Sequence, residues 1–90
     1  MNLPKKVMID AVHLAYQTLS EKKGYKQSNI LRKFQTLGIK VSPASFSNIL
    51  KDKEVGDSVV GLAFKGLSHI LASELLLVFD PDKCHLVPIK

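Results

Sequence analysis

The sequence is poor in the residues used for covalent cross-links and metal sites. It contains one cysteine, three histidines and no tryptophan among 90 residues. The single thiol, Cys84, excludes an internal disulfide framework. No cysteine or histidine pair has the close spacing of a zinc site, so no metal is expected. A glycine-rich phosphate loop and a nucleophile–base grouping are also missing. The sequence therefore predicts no enzyme and no cofactor.

Long hydrophobic runs are missing as well. The longest, LLLVF at residues 75–79, has the length of a strand, whereas a membrane-spanning helix needs about 20 apolar residues. The basic N-terminal segment is interrupted by Asp10, His13 and Gln17, which argues against a signal peptide. We therefore expect a cytoplasmic protein with no membrane segment. A chain of 90 residues is expected to be one domain or a fragment of a larger protein, and not two domains.

Acidic residues are scarce in the first part of the chain. Residues 1–53 contain ten Lys and Arg side chains against three acids, whereas residues 54–90 contain three lysines against five acids. The formal net charge of +5 therefore originates in the N-terminal part. A basic half indicates a polyanionic partner such as nucleic acid, but solvated lysines on helix faces would give the same count.

The spacing of apolar residues predicts four helices. The first is expected over residues 5–23, the second over about 27–37, and the third from Pro43, with Ser42 as its N-cap. The fourth is expected to be capped by Asp57 or Ser58 and to end near residue 73. The inward positions predicted for it are Val59, Leu62, Ala63, Leu67, Ile70 and Leu71.

Aromatic residues of the helical part are expected in the core, namely Phe34, Phe46 and Phe64. Two glycines, Gly61 and Gly66, fall inside the fourth helix. Each weakens a helix by about 1 kcal/mol relative to alanine. Close contact between helices would explain why they are there.

The end of the chain predicts a β-hairpin. The segments ELLLVF and CHLVPI flank DPDK, which favours a four-residue loop. Pairing Phe79 with Cys84 would bury Cys84 on the face that covers the helices. The opposite face needs a partner, because an isolated hairpin is marginally stable. That partner would be a second subunit or more of the same polypeptide. The residues of this outer face are Leu76, Val78, His85 and Val87.

The third helix combines an apolar stripe with a small polar face. Phe46, Ile49 and Leu50 form the stripe, and mainly serine, alanine and asparagine fall away from it. Short side chains let a helix backbone approach the floor of the DNA major groove. Serine and asparagine can bond to base edges or phosphates, and lysine reaches the phosphate backbone.

The segment from Ser28 to Leu71 resembles the phage-repressor and Cro-like helix-turn-helix family. The resemblance rests on NILRKFQTLGIKVSPASFSNILKDK followed by an apolar helix. It implies a mainly α helix-turn-helix domain of four to five helices, which we expect over residues 1–74. The hairpin predicted from the sequence pattern is expected to pack on this domain over residues 75–90. The chain departs from the family pattern in three ways. The link GIKVS is about two residues longer than usual, and Phe34 stands where the family prefers a small residue. A terminal hairpin is not general to the family, although some members use a C-terminal strand or ribbon for dimerisation.

The resemblance also implies a function. The chain would bind double-stranded DNA through a recognition helix starting near Pro43, as a transcriptional repressor or as the DNA-binding part of a larger protein. It would form a homodimer through the hairpin or dock onto a missing downstream domain. The residues expected to contact DNA are Gln27, Lys40, Ser42, Ala44, Ser45, Ser47, Asn48, Lys51 and Lys53. The alternative is a helical adaptor that binds a partner protein through the outer face of the hairpin.

Overall fold

The computed structural model describes residues 3–89, so residues 1, 2 and 90 of the two predicted ranges lie outside the described part. Within it, helices precede an antiparallel hairpin, which confirms the predicted mainly α fold. The helices are α1 (Lys5–Lys23), α2 (Gln27–Thr36), α3 (Pro43–Leu50) and α4 (Asp57–Glu74), and the strands are β1 (Leu77–Asp80) and β2 (His85–Pro88). No helix in residues 3–89 is both long and apolar enough to cross a membrane.

The helices enclose a core centred on aromatic rings. Phe46 of α3 lies between Tyr16 of α1 and Phe34 of α2, with ring centroids 6.0 and 5.7 Å apart in edge-to-face geometry. Such pairs add about 0.5–1.5 kcal/mol each beyond the burial of their surface. Phe34 and Phe46 are buried, as predicted. Phe64 lies at the margin of the core, where its ring meets Phe79 of β1 edge-on.

Gly66 on α4 makes room for the large side chain of Phe34. A Cβ atom at Gly66 would lie 2.5 and 2.8 Å from two ring carbons of Phe34 and 3.0 Å from Cδ1 of Ile39. Close packing was the expected reason for the glycines of α4, and it is present at Gly66. Gly61 has no described atom within 4 Å of its virtual Cβ, so close contact does not explain it.

The start of α4 differs from the prediction. Its N-cap is Gly56, which has no side chain to accept a hydrogen bond, and not Asp57 or Ser58. Asp57 has become the first helical residue, and its carboxylate instead lies 3.0 Å from Nζ of Lys5. An acid in the first turn still complements the helix dipole.

The buried stripe of α4 is also rotated from the predicted one. Val60 is fully buried and Val59 only partly, whereas Leu62 is 36% exposed. The helix is apolar around most of its circumference, so spacing alone could not fix which residues face the core. The remaining predicted inward residues are buried: Ala63, Leu67, Ile70 and Leu71.

The hairpin has a different register from the predicted one. Phe79 pairs with Leu86 and not with Cys84, so the loop comprises residues 81–84. The Asp80 carboxylate accepts a hydrogen bond from the Asp82 N–H at 2.9 Å, which places Asp80 at the end of β1 and moves the loop by one residue. The prediction of a buried Cys84 is therefore wrong. Cys84 lies in the turn with a φ of 54° and is exposed.

Apart from Cys84, the same residues lie on each face of the hairpin as predicted, because the pairing shifts by two residues and side chains alternate with a period of two. Phe79 is buried, and Leu77 and Leu86 pack against the core. On the outer face, Leu76 is 66% exposed and Val78 is 44% exposed. Of the other predicted outer residues, His85 is exposed and Val87 half-buried, and Ile89 adds a further exposed apolar side chain.

The backbone nitrogen of Pro88 lies on the edge of β2 that faces away from β1. The Ile89 N–H donates to the Leu76 carbonyl at 2.9 Å. Hydrogen-bonded and non-hydrogen-bonded pairs alternate along an antiparallel ladder. The pair of Leu77 and Pro88 is therefore non-hydrogen-bonded, and the backbone groups of Pro88 point away from β1. A proline at this position removes no hydrogen bond from the ladder.

Candidate nucleic-acid interface

The third helix begins where the sequence predicts it. The Ser42 hydroxyl oxygen accepts a hydrogen bond from the Ser45 N–H at 3.1 Å, and Pro43 occupies the first turn. The same Ser42 hydroxyl donates to the Ser45 Oγ at 2.9 Å, so the Ser45 hydroxyl keeps its own proton for another acceptor. Phe46 and Ile49 are buried, which turns the small polar side of the helix outward.

The link between α2 and α3 is anchored at both ends. Gly38 has a φ of 74°, and the Ile39 N–H donates to the Phe34 carbonyl at 2.8 Å, which closes the end of α2 in a Schellman motif. Ile39 and Val41 pack against the core, as predicted. The longer link is therefore fixed to the domain, and it leaves Lys40 exposed between two anchored residues.

The structure brings most of the predicted DNA-contacting residues into one stretch along the link, α3 and the loop after it. The exposed ones are Lys40, Ser42, Ala44, Lys51 and Lys53. Those that are half-buried are Gln27, Ser45, Ser47 and Asn48. Gln27 stands apart, because it begins α2 while the link follows the other end of that helix, about 15 Å along the axis.

An open groove of about 600 Å³ runs beside the start of α3. Lys40 and Ser42 line it together with Gln35 of α2, a residue that the sequence analysis did not single out. Gln35 is exposed and lies in the last turn of its helix. Its spacing on α2 marks it only as solvent-facing, so no pattern in the sequence separates it from other exposed polar residues.

The acids that follow α3 lie beside a lysine and a histidine of α1. Nζ of Lys5 lies 3.0 Å from Asp57 and 3.1 Å from Glu54, and the hydrogen bonds that it donates to these carboxylates raise the pKa of Lys5. Nε2 of His13 lies 3.3 Å from Asp52. Exposed pairs of this kind add little stability, but they determine where unpaired charge remains. The sequence could not indicate these pairs, because their members are far apart in the chain.

The lysines nearest to α3 are, by contrast, unpaired. Among residues 3–89, no carboxylate lies within ion-pair distance of Lys40, Lys51 or Lys53. Lys51 and Lys53 therefore present unpaired positive charge to solvent at the end of α3, while Lys5 pairs with Glu54 and Asp57 and His13 contacts Asp52.

A further cluster joins Lys33 of α2 and Tyr25, which precedes that helix, to the end of α4. Nζ of Lys33 lies 2.9 Å from a Glu74 oxygen and 5.1 Å from the ring centroid of Tyr25, whose hydroxyl donates to the other Glu74 oxygen. Hydrogen bonding to Glu74 raises the pKa of both Lys33 and Tyr25. Burial disfavours the Glu74 charge, but the two donors outweigh it and hold its pKa below the ordinary value. The Lys33 ammonium is therefore paired within the fold.

No group of three or more His, Cys, Asp and Glu side chains within residues 3–89 is arranged to hold a metal ion. The chain matches no protein-family model, and comparisons with curated proteins and with solved structures find no match. The resemblance to helix-turn-helix repressors stays a prediction. A function has to be proposed from the geometry and charge of the interface itself.

Proposed function

We propose that the chain binds double-stranded DNA in a sequence-directed manner through α3, as a transcriptional regulator or as the DNA-binding part of a larger protein. The observation that carries this proposal is the distribution of charge around α3. Lys40, Lys51 and Lys53 are exposed and unpaired in the described part of the chain, while the acids of residues 52–57 have partners on α1. A phosphate backbone would meet positive charge along this stretch.

The dimensions and chemistry of α3 also support the proposal. Eight residues give a helix about 12 Å long, close to the width of the major groove. Ala44 and Ser47 are small enough to allow close approach, and Ser45 has a hydroxyl proton to donate. No side-chain hydrogen bond among the described residues engages the Asn48 amide, which can pair with a base edge.

The first test is the salt dependence of DNA binding, measured by fluorescence anisotropy with a random-sequence duplex pool. Each phosphate contact adds about 0.9 to the slope of log affinity against log salt. Changing both Lys51 and Lys53 to alanine should therefore reduce the loss of affinity between about 50 and 200 mM salt by about 10-fold. The variant should also bind more weakly at the lower concentration.

The matched control is Lys65→Ala with Lys83→Ala, which removes the same charge from α4 and the hairpin loop. This control should keep the wild-type slope. Equal slopes for the two double variants would contradict a phosphate contact at the end of α3. A wild-type protein that does not bind even at about 50 mM salt would overturn the proposal.

We also propose that a second copy of the chain covers the outer face of the hairpin. Leu76, Val78 and Ile89 are 66%, 44% and 44% exposed, which leaves apolar surface together at one end of the domain. Dimers of helix-turn-helix proteins bind two half-sites of a pseudo-palindromic target, so a two-fold contact would fit DNA binding. The other candidate is an adaptor that uses this face to bind a different protein.

Changing Leu76 and Val78 to aspartate is expected to convert a dimer into a monomer in sedimentation velocity, because two charges would be buried in the contact. The melting temperature of the monomer should change little, since both side chains are already exposed. The control is Leu62→Asp, which places a charge on the exposed side of α4. A wild-type protein that sediments as a monomer at about 100 μM would contradict the second copy and favour the adaptor.

A further inference from the structure

The end of α3 is closed by an unusual version of a common motif. The Lys53 N–H donates to the Asn48 carbonyl at 2.8 Å, and the Asp52 N–H donates to the Ile49 carbonyl at 3.2 Å. These two bonds define a Schellman motif, in which the residue after the cap adopts a left-handed conformation. Glycine usually occupies that position, as Gly38 does after α2. Here it is Asp52, with a φ of 58°.

His13 of α1 contacts this motif at two points. Its Nε2 lies 2.8 Å from the Ile49 carbonyl oxygen and 3.3 Å from the Asp52 carboxylate. Because both partners are acceptors, Nε2 carries the proton and shares it between them. The contact joins residues that are 36 positions apart and lies at the surface, where the His13 side chain is 35% exposed.

The contact offsets the conformational strain of the motif. A left-handed backbone is unfavourable for residues other than glycine, although aspartate tolerates it better than most. The imidazole holds the Asp52 side chain and one carbonyl of the last turn at the same time. Without it, the turn through residues 51–53 would open more often. That turn contains both Lys51 and Lys53, so its opening would move two cations of the interface.

We propose that His13 is a positioning residue for DNA binding, which fixes the C-terminal end of α3 and the lysines that follow it without touching DNA itself. This inference rests on the proposed function of α3. Lys5 acts on the same loop from the same helix through Glu54 and Asp57. α1 therefore holds the segment after α3 at two points, and His13 is the one that contacts α3 itself.

The test compares His13→Leu with His13→Gln, whose amide nitrogen reaches the position of Nε2 and donates from there. His69→Leu is the matched control, since His69 is exposed on α4. In the free protein, His13→Leu should speed amide exchange at Lys53 about tenfold and should leave the Ile89 amide of the hairpin unchanged. Affinity for the duplex pool at low salt should fall about fivefold, while His13→Gln and His69→Leu stay within about twofold.

A double-mutant cycle with Asp52→Gly separates positioning from a general loss of stability. Glycine adopts the left-handed conformation without strain, so the motif should depend less on His13, which keeps only its bond to the Ile49 carbonyl. The change His13→Leu should then have a clearly smaller effect on Lys53 exchange and on affinity when Asp52 is already glycine. Comparison with the single Asp52→Gly variant removes the effect of the lost carboxylate charge.

The outcomes distinguish this inference from the proposed function. Unchanged Lys53 exchange in His13→Leu overturns the inference, whatever the DNA result. Wild-type binding that His13→Leu weakens no more than His69→Leu overturns the inference and leaves the proposed function standing. A wild-type protein that does not bind DNA overturns both. Weakened binding in His13→Leu, retained binding in His13→Gln and a smaller effect of His13→Leu in the glycine background together support the role.

Discussion

Replacing Phe46 with alanine is expected to lower the free energy of unfolding by about 3–5 kcal/mol. The side chain is 0% exposed and lies between the rings of Tyr16 and Phe34. Truncation removes the transfer free energy of the ring, leaves a cavity where three helices meet, and ends two edge-to-face contacts. Native proteins are typically stable by about 5–15 kcal/mol, so the variant should lose a substantial part of its stability.

Urea unfolding followed by circular dichroism would measure this loss. Phe64→Ala is the control, because this half-buried aromatic packs on the hairpin at the margin of the core. Its cost should be about 1–2 kcal/mol. Equal losses for the two variants would show that the core is not centred on Phe46.

Replacing Gly66 with alanine is expected to destabilise the protein by about 1–3 kcal/mol, even though alanine is the better helix former. The added Cβ would lie 2.5 Å from a ring carbon of Phe34, and that ring is itself held by Phe46. Gly61→Ala should have the opposite sign. The described structure places nothing within 4 Å of its virtual Cβ, so this change should stabilise α4 by about 0.5–1 kcal/mol.

Thermal or urea unfolding of both variants would show whether the two substitutions change the free energy of unfolding in opposite directions. A Phe34→Leu change in the Gly66→Ala background tests the cause. Leucine has no ring at the point of collision, so the cost of the added methyl group should fall in that background. If Gly66→Ala is as stable as Gly61→Ala, the Phe34 ring does not fill the space beside Gly66.

The bounds of α1 and the start of α3 were predictable because their signals are local, whereas the cap of α4 was not. Pro4 and Gly24 bracket α1, and Ser42 with Pro43 begins α3, each through the conformation of one or two residues. The register of the hairpin was not predictable in the same way. It depends on which backbone amide the Asp80 side chain engages, and DPDK permits a loop that begins at either Asp80 or Pro81.

The candidate site likewise has a part that local sequence predicts and a part that depends on tertiary packing. Its contiguous part, from Lys40 to Lys53, could be identified from one helix and its neighbouring residues. The contribution of α1 could not, because Lys5 and His13 meet the loop after α3 only through packing of distant segments. The space that Gly66 leaves for Phe34 is also a tertiary property. A glycine in a helix indicates only that some reason exists, and the reason here lies on another element.

Pro88 bears on how copies of this protein can associate. A sheet that grows from molecule to molecule needs a complete row of donors on both of its edges. β2 lacks the donor that any residue other than proline would direct outward at position 88. The hairpin is therefore a poor template for strand addition along β2, despite its apolar outer face. Two copies can still pair through the side chains of this face, whereas Pro88 disfavours growth of the sheet into fibres.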